Sequence, residues 1–484
     1  MADGTGFEDL RYASIPTVRE RYADRTLSPK EYVTAVLDAI ERTDPALGAF
    51  LTLAGERALE EASAAEELLV REGPGVFRER PLLGMPVSVK DLTPTQGIRT
   101  TRGSLLHRDH VPHEDAPAVA RLRAAGAVVI GKTNTPDGGW SGSGVNRLGP
   151  PTRNPWNPAL TAGGSSAGAA AAVATGLGVA ATGTDGAGSV RIPAAFCGVV
   201  GFKPTRGLVP YLPVSSEGLS HLGPLTRTVG DAGLLLRVMS GHDPRDPWSV
   251  TAVPPGPPVP ARLRIGWIRS LGRPDPHPEV EALAREAVGE LAAQGHLVEE
   301  LDPPFEDPYP LLEVLLASGE AAAHAEDPPG TEDLLDPGLR EVVEFGRSLR
   351  AVELAAAYAG RDRLWARAHR LMRDYDLLAL PTVPVLPFAA ELSAPEPAVP
   401  KGRLPWLAWT PGTYPFNLTG QPAVSVPAGR TSAGLPVGLQ LVGARHRDPL
   451  VLATARRLER ARPWRHWYAE TARPDQFSEP EEDT

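Results

Sequence analysis

One cysteine, Cys197, stands in a chain of 484 residues. That excludes an intramolecular disulfide framework and any cysteine-rich zinc site. Long hydrophobic runs are missing too. The longest, over 169–174, is short and alanine-rich, far from the about 20 apolar residues that cross a bilayer. Positive charge is not in excess: 49 basic against 59 acidic side chains leave a net charge of −10. No basic stripe stands ready to neutralise phosphates, which argues against a nucleic-acid partner. The opening residues Met-Ala-Asp-Gly-Thr-Gly-Phe-Glu-Asp are acidic where a secretory signal needs a basic start and an apolar stretch. A cytoplasmic, loop-rich enzyme is the default expectation, since glycine (49) and proline (52) together make up about a fifth of the chain.

Lysine is the scarcest of the common charges. Only Lys30, Lys90, Lys132, Lys203 and Lys401 occur, so arginine serves nearly everywhere a cation is wanted. Lys90, Lys132 and Lys203 sit in apolar or glycine-rich settings (Val-Ser-Val-Lys, Ile-Gly-Lys, Gly-Phe-Lys). An arginine cannot shed its proton, whereas a desolvated lysine can become a neutral amine base. These three are therefore candidates for proton transfer, against the plainer reading that codon bias left a few lysines at random.

Hydrophobic periodicity predicts helices over 7–70, a strand over 82–92, and a helix then a strand over 118–130. It then gives a loop over 135–161 and an alanine-rich helix ending near residue 174. Pro-rich 253–260 reads as a linker. Beyond it, strands at 263–268, 296–301, 376–380, 423–427 and 437–442 alternate with helices at 279–294, 351–373 and 448–460. That alternation points to the α/β class.

No phosphate loop and no His-Glu-x2-His helix is present. His107, His110 and His113 recur at intervals of three, but the polar, proline-broken context reads as solvated loop. Gly164-Ser165-Ser166-Ala167-Gly168 matches the Gly-x-Ser-x-Gly nucleophile elbow, which would make Ser166 the nucleophile of a Ser-His-Asp hydrolase. An elbow needs an apolar strand immediately before it, and Asn157-Pro158-Ala159-Leu160-Thr161 reads as loop. What the region does offer is two serines, Ser165 and Ser189, each on a glycine-rich turn. Small residues let backbone N–H groups approach a ligand closely, as an oxyanion hole requires.

These blocks resemble the amidase signature family. Residues 163–168 (Gly-Gly-Ser-Ser-Ala-Gly), 183–193 (Gly-Thr-Asp-Gly-Ala-Gly-Ser-Val-Arg-Ile-Pro) and 86–91 (Pro-Val-Ser-Val-Lys-Asp) carry the resemblance at the family's spacing. The variant around Ser189 is similar to the branch of cyclic nylon-oligomer hydrolases. The resemblance implies a single α/β domain, a mixed sheet surrounded by helices, with 1–75 as its helical start, 76–250 as the signature core and 251–484 as its C-terminal part. It implies hydrolysis of amides, anilides or carbamates, with Ser189 as nucleophile, Ser165 as relay on a cis peptide and Lys90 as base. It further implies an oxyanion hole from the N–H groups of Gly186, Ala187, Gly188 and Ser189, with Asp185 and Arg191 as a structural pair. No metal and no cofactor are expected, and the chain is expected to work as a monomer or homodimer on a small-molecule amide or carbamate. Trp140, Tyr414 and Phe416 are the expected substrate contacts, in an apolar cleft whose flanking charges are Asp137 and Arg147. The alternative within the family is the A subunit of a tRNA-dependent amidotransferase. Against it, Thr133-Asn134-Thr135-Pro136-Asp137-Gly138 lacks that subunit's Met-Asp-Glu-Phe-Ala-Met-Gly run.

Overall fold

Val87 and Val89, β-branched and flanking Ser88, favour an extended chain, and the strand Pro86–Lys90 is buried along its whole length. Burial on both faces follows from its neighbours: it runs parallel to Val128–Thr133 on one side and to Ala180–Asp185 on the other. The computed structural model describes residues 10–250, 259–397 and 402–471. Within them, eleven strands form one mixed sheet. Their order is Phe50–Leu53, Val128–Thr133, Pro86–Lys90, Ala180–Asp185, His221–Thr226, Val200–Lys203, Ala423–Arg430, Pro436–Gly443, Leu377–Pro381, Arg264–Ile268, Leu297–Leu301. The first edge pair is antiparallel, the next two pairs and the last two are parallel, and the pairs between them are antiparallel. Strands come from all three sequence segments, so one sheet spans the chain and the α/β class holds.

Helices cover the sheet. Pro29–Leu47 opens with a reciprocal cap between Ser28 and Glu31 and stops at Gly48, which takes the left-handed conformation (φ 66°). The alanine-rich Ala167–Ala174 is buried on every side because its small residues let neighbouring backbone close in. At Gly168 an added Cβ would lie 2.1 Å from the Ala49 carbonyl oxygen. The main core runs beneath these helices, and a second cluster built on Tyr309, Leu312, Leu315 and Leu364 packs against the far half of the sheet. Among the described residues no helix is long and apolar enough to cross a membrane.

Two sequence expectations need correction. Phe50–Leu53, inside the stretch read as helical, is the edge strand paired antiparallel to Val128–Thr133. Asn157–Thr161, read as loop, pairs with Arg153–Asn154 in a small ribbon. Both are too short for periodicity to reveal, and tertiary pairing decides them. Residues 253–258 of the expected linker, and the acidic opening residues 1–9, lie outside the described residues.

Candidate active site

The strand Pro86–Lys90 ends by delivering Lys90 to the two serine turns. Lys90 Nζ lies 2.7 Å from Ser165 Oγ and 2.9 Å from Thr184 Oγ1. No part of Lys90 is exposed. Burial pushes its pKa well below the ordinary lysine value, against the upward pull of Asp185. The other two candidate lysines serve elsewhere. Lys132 Nζ donates to Thr95 Oγ1 at 2.8 Å and Thr100 Oγ1 at 2.9 Å, and Lys203 Nζ donates to the Gln421 and Pro204 carbonyls. Burial lowers both of their pKa values too, so a depressed pKa alone does not mark the base. Of the three, Lys90 is the one that touches a serine of the glycine-rich turns.

The Gly164–Ser165 peptide bond is cis. Gly164 admits no side chain, since a Cβ there would sit 1.9 Å from the Ser143 carbonyl oxygen. The two serine turns are tied together by the Ser166 N–H, which donates to the Ser189 carbonyl at 3.1 Å. Ser165 and Ser189 both face one pocket, together with Thr184, Gly186 and Ala187. Ser189 is the half-buried member of the set, while Lys90 and Ser165 are buried behind it. Ser166 is turned away: its Oγ donates to the Thr184 carbonyl at 3.2 Å, and it is fully buried outside the pocket lining. That orientation removes the nucleophile-elbow reading.

Asp185 shapes the turn that carries Ser189. Its carboxylate accepts from the Gly188 N–H at 2.8 Å and the Val190 N–H at 3.2 Å, and it meets the Arg191 guanidinium through two bonds of 2.9 Å. Burial works against the charge on Asp185. The charge and hydrogen bonds of Arg191, with Lys203 and the Asn417 amide, together outweigh it and hold the carboxyl well below the usual range. Arg191 also donates to the Thr413 carbonyl, Gln440 Oε1 and Asn417 Oδ1, which ties the turn to the C-terminal strands. Removing one partner of such a buried pair strands the other charge, at roughly 3–5 kcal/mol. Asp185→Asn should therefore lose about that much stability in urea unfolding, and a loss below ~1 kcal/mol would contradict the scaffold role.

One expected oxyanion-hole donor is already occupied. The Gly188 N–H points to Asp185, with Gly188 at φ 129° packed against Thr413. The N–H groups of Gly186, Ala187 and Ser189 have no hydrogen-bond partner among the described residues, and these three residues line the pocket. They are the donors available to a developing oxyanion.

The substrate-contact expectations divide. Trp140 lines the pocket and stands edge-on to Trp406, with centroids 4.6 Å apart. Tyr414 and Phe416 do not line it: they are buried in the second core cluster, and the Tyr414 hydroxyl donates to Asp307 Oδ1 at 2.6 Å. The expected flanking charges also point away, Asp137 accepting from the Asp336 N–H and Arg147 donating to the Asp333 and Leu335 carbonyls. Two acids that no sequence pattern marks take their place in the wall, Glu217 and Glu320, beside Tyr211 and Ser220. Burial and the neighbouring Glu217 raise the Glu320 carboxyl to about 8, so it keeps its proton at neutral pH. The cleft is thus part apolar (Leu92, Trp140, Ile192, Leu316, Leu407) and part acidic, and among the described residues no cationic side chain lines it. Thr184, the second partner of Lys90, falls within the Gly-Thr-Asp block of the sequence. Among the described residues no group of three or more His, Cys, Asp or Glu side chains is arranged to hold a metal ion.

Comparison with known proteins agrees over nearly the whole length. The Amidase family model matches residues 31–452. An acylamidase of Rhodococcus erythropolis is 36% identical over 470 residues, covering 94% of this chain and 97% of its own. The A subunit of the glutamyl-tRNA(Gln) amidotransferase of Thermus thermophilus is 38% identical, covering 92% and 96%. The solved structure of a 6-aminohexanoate cyclic dimer hydrolase complexed with substrate superposes with a TM-score of 0.86 at 31% identity, covering 97% of this chain and 100% of that one.

Proposed function

The chain belongs to the amidase signature family and is a hydrolase of amide carbon–nitrogen bonds; from that premise we propose that it works through an acyl-enzyme on Ser189. An amide is a weak electrophile with a poor leaving group, so it needs both an activated nucleophile and a protonated departing amine. Neutral Lys90 takes the proton of Ser165 Oγ as Ser165 takes that of Ser189 Oγ, and Ser189 attacks the acyl carbon. The negative charge that forms on the acyl oxygen is met by the N–H groups of Gly186, Ala187 and Ser189. Reversing the relay carries the proton to the leaving nitrogen as the carbon–nitrogen bond breaks, and water then releases the acid by the same route. The observation that carries this reading is the 2.7 Å contact of a wholly buried Lys90 with Ser165, in a pocket that Ser165 shares with Ser189.

For substrate we propose uncharged amides with a bulky aryl or alkyl group, with aryl carbamates in the same range because their transition state has the same shape. Trp140, Leu316 and Leu407 offer the apolar wall. Glu217 and the lack of a lining cation disfavour an α-carboxylate such as glutamine's. Burying one aryl ring contributes about 2–3 kcal/mol, and a factor of ten in rate needs ~1.4 kcal/mol. The purified chain alone should thus show a kcat/KM for hydrophobic anilides or aryl carbamates at least about thirtyfold above that for glutamine. Equal turnover of glutamine, or glutaminase activity appearing only with partner proteins and tRNA, would favour the amidotransferase reading that the Thermus thermophilus relative keeps in view.

A further inference from the structure

Across the chain segment that carries Glu217 lies a second hollow of about 310 Å³, lined by Arg206, Arg361, Arg445, Trp248, Trp365 and Tyr358. Three arginines converge here in a protein with a net charge of −10. Elsewhere arginines such as Arg245 and Arg285 pair with carboxylates at 2.9 Å. Among the described residues none of these three has a carboxylate partner within ion-pair distance. Their acidic neighbours in the wall are Glu217 and Asp362, and the Glu217 carboxylate instead accepts from Ser220 Oγ at 2.9 Å.

Arg361 has a structural task, donating to the carbonyls of Leu418, Glu217 and Gly218. Arg206 and Arg445 lack such bonds: among the described residues their guanidinium groups meet tryptophan rings but donate no hydrogen bond, and Arg445 Nε is buried without a hydrogen-bond partner. Burial and the like charges of Arg361 and Arg445 press the Arg206 pKa down to about 10. An anion would relieve that repulsion. Aromatic side chains stand beside these arginines. Arg206 lies over the Trp248 ring at 4.3 Å and Arg445 faces the Trp365 ring at 5.5 Å, while Trp248 remains 57% exposed. A guanidinium fork matches a carboxylate through two parallel bonds, and an indole face accepts a flat ring.

The geometry points to a binding site for a small aromatic carboxylate, held by Arg206 and Arg445 through its charge and by Trp248 and Trp365 through its ring, separate from the catalytic pocket. Benzoate titrated into the full-length Ser189→Ala variant, followed by calorimetry and tryptophan fluorescence, tests this without turnover and does not depend on the acyl-enzyme reading. Saturable binding is expected for benzoate and none for benzyl alcohol, the uncharged counterpart. Combining Arg206→Met with Arg445→Met should weaken benzoate at least tenfold. The gentler Arg445→Lys keeps the charge but loses the fork, and should weaken it several-fold with thermal unfolding unchanged. The site would be overturned by absent binding, by equal binding of benzyl alcohol, or by benzoate binding that survives both arginine changes and so belongs to the catalytic pocket.

Discussion

Lys90→Arg is expected to be about as inactive as Lys90→Ala, each losing roughly 10³-fold or more in kcat, the range general-base catalysis supplies. The comparison separates two roles that a single alanine variant confuses. If the buried cation acted by its charge, arginine would preserve most of the function. If its task is to accept a proton, a guanidinium that never deprotonates is useless however well it fits. Lys90 is wholly buried, touches Ser165 and Thr184, and has its pKa driven down by burial. The wild-type rate should accordingly rise with pH as Lys90 loses its proton and fall on the acid side as it regains it. Retention of more than about a tenth of the activity by Lys90→Arg would make the lysine an electrostatic element.

Ser189→Ala should lose roughly 10⁴-fold or more, while Ser166→Ala, one residue from the relay serine, should stay within about tenfold of wild type. The contrast follows from orientation. Ser189 faces the pocket, whereas Ser166 points into the protein and donates to the Thr184 carbonyl. Losing that one buried bond costs about 1 kcal/mol of stability and leaves the reacting atoms untouched. Steady-state rates on one anilide, measured beside unfolding curves, check both halves.

Lys90, the two serine turns and the Asp185–Arg191 pair are legible in the sequence because each sits in a short contiguous block that resembles the family's, glycine-rich around the serines. Legibility fails where chemistry is assembled from distant segments. Glu320 comes from the helix Tyr309–Ala323 and meets Glu217 only through the fold, so no local pattern announces the pair. Tyr414 and Phe416 fail in the opposite way. Aromatic residues beside small ones suit a cleft wall and a core equally, and here the Asp307 partner of the Tyr414 hydroxyl settles the matter for the core. In sequence the Gly188 N–H is as available as its neighbours, and only the folded turn gives it to the Asp185 carboxylate. Secondary structure behaves alike: Leu377–Pro381 is readable from its apolar run, whereas Phe50–Leu53 needs its partner Val128–Thr133 to exist, and Ala180–Asp185 and His221–Thr226, rich in small and polar residues, are strands through their pairing.

Covalent labelling with a fluorophosphonate identifies the nucleophile. Ser165, Ser166 and Ser189 lie between Arg153 and Arg191, inside one tryptic peptide, so the site must be read from its fragment ions. A single adduct is expected on Ser189, abolished by Ser189→Ala and strongly slowed by Lys90→Ala. An adduct on Ser165 or Ser166, or labelling that persists in Ser189→Ala, would contradict Ser189 as the nucleophile.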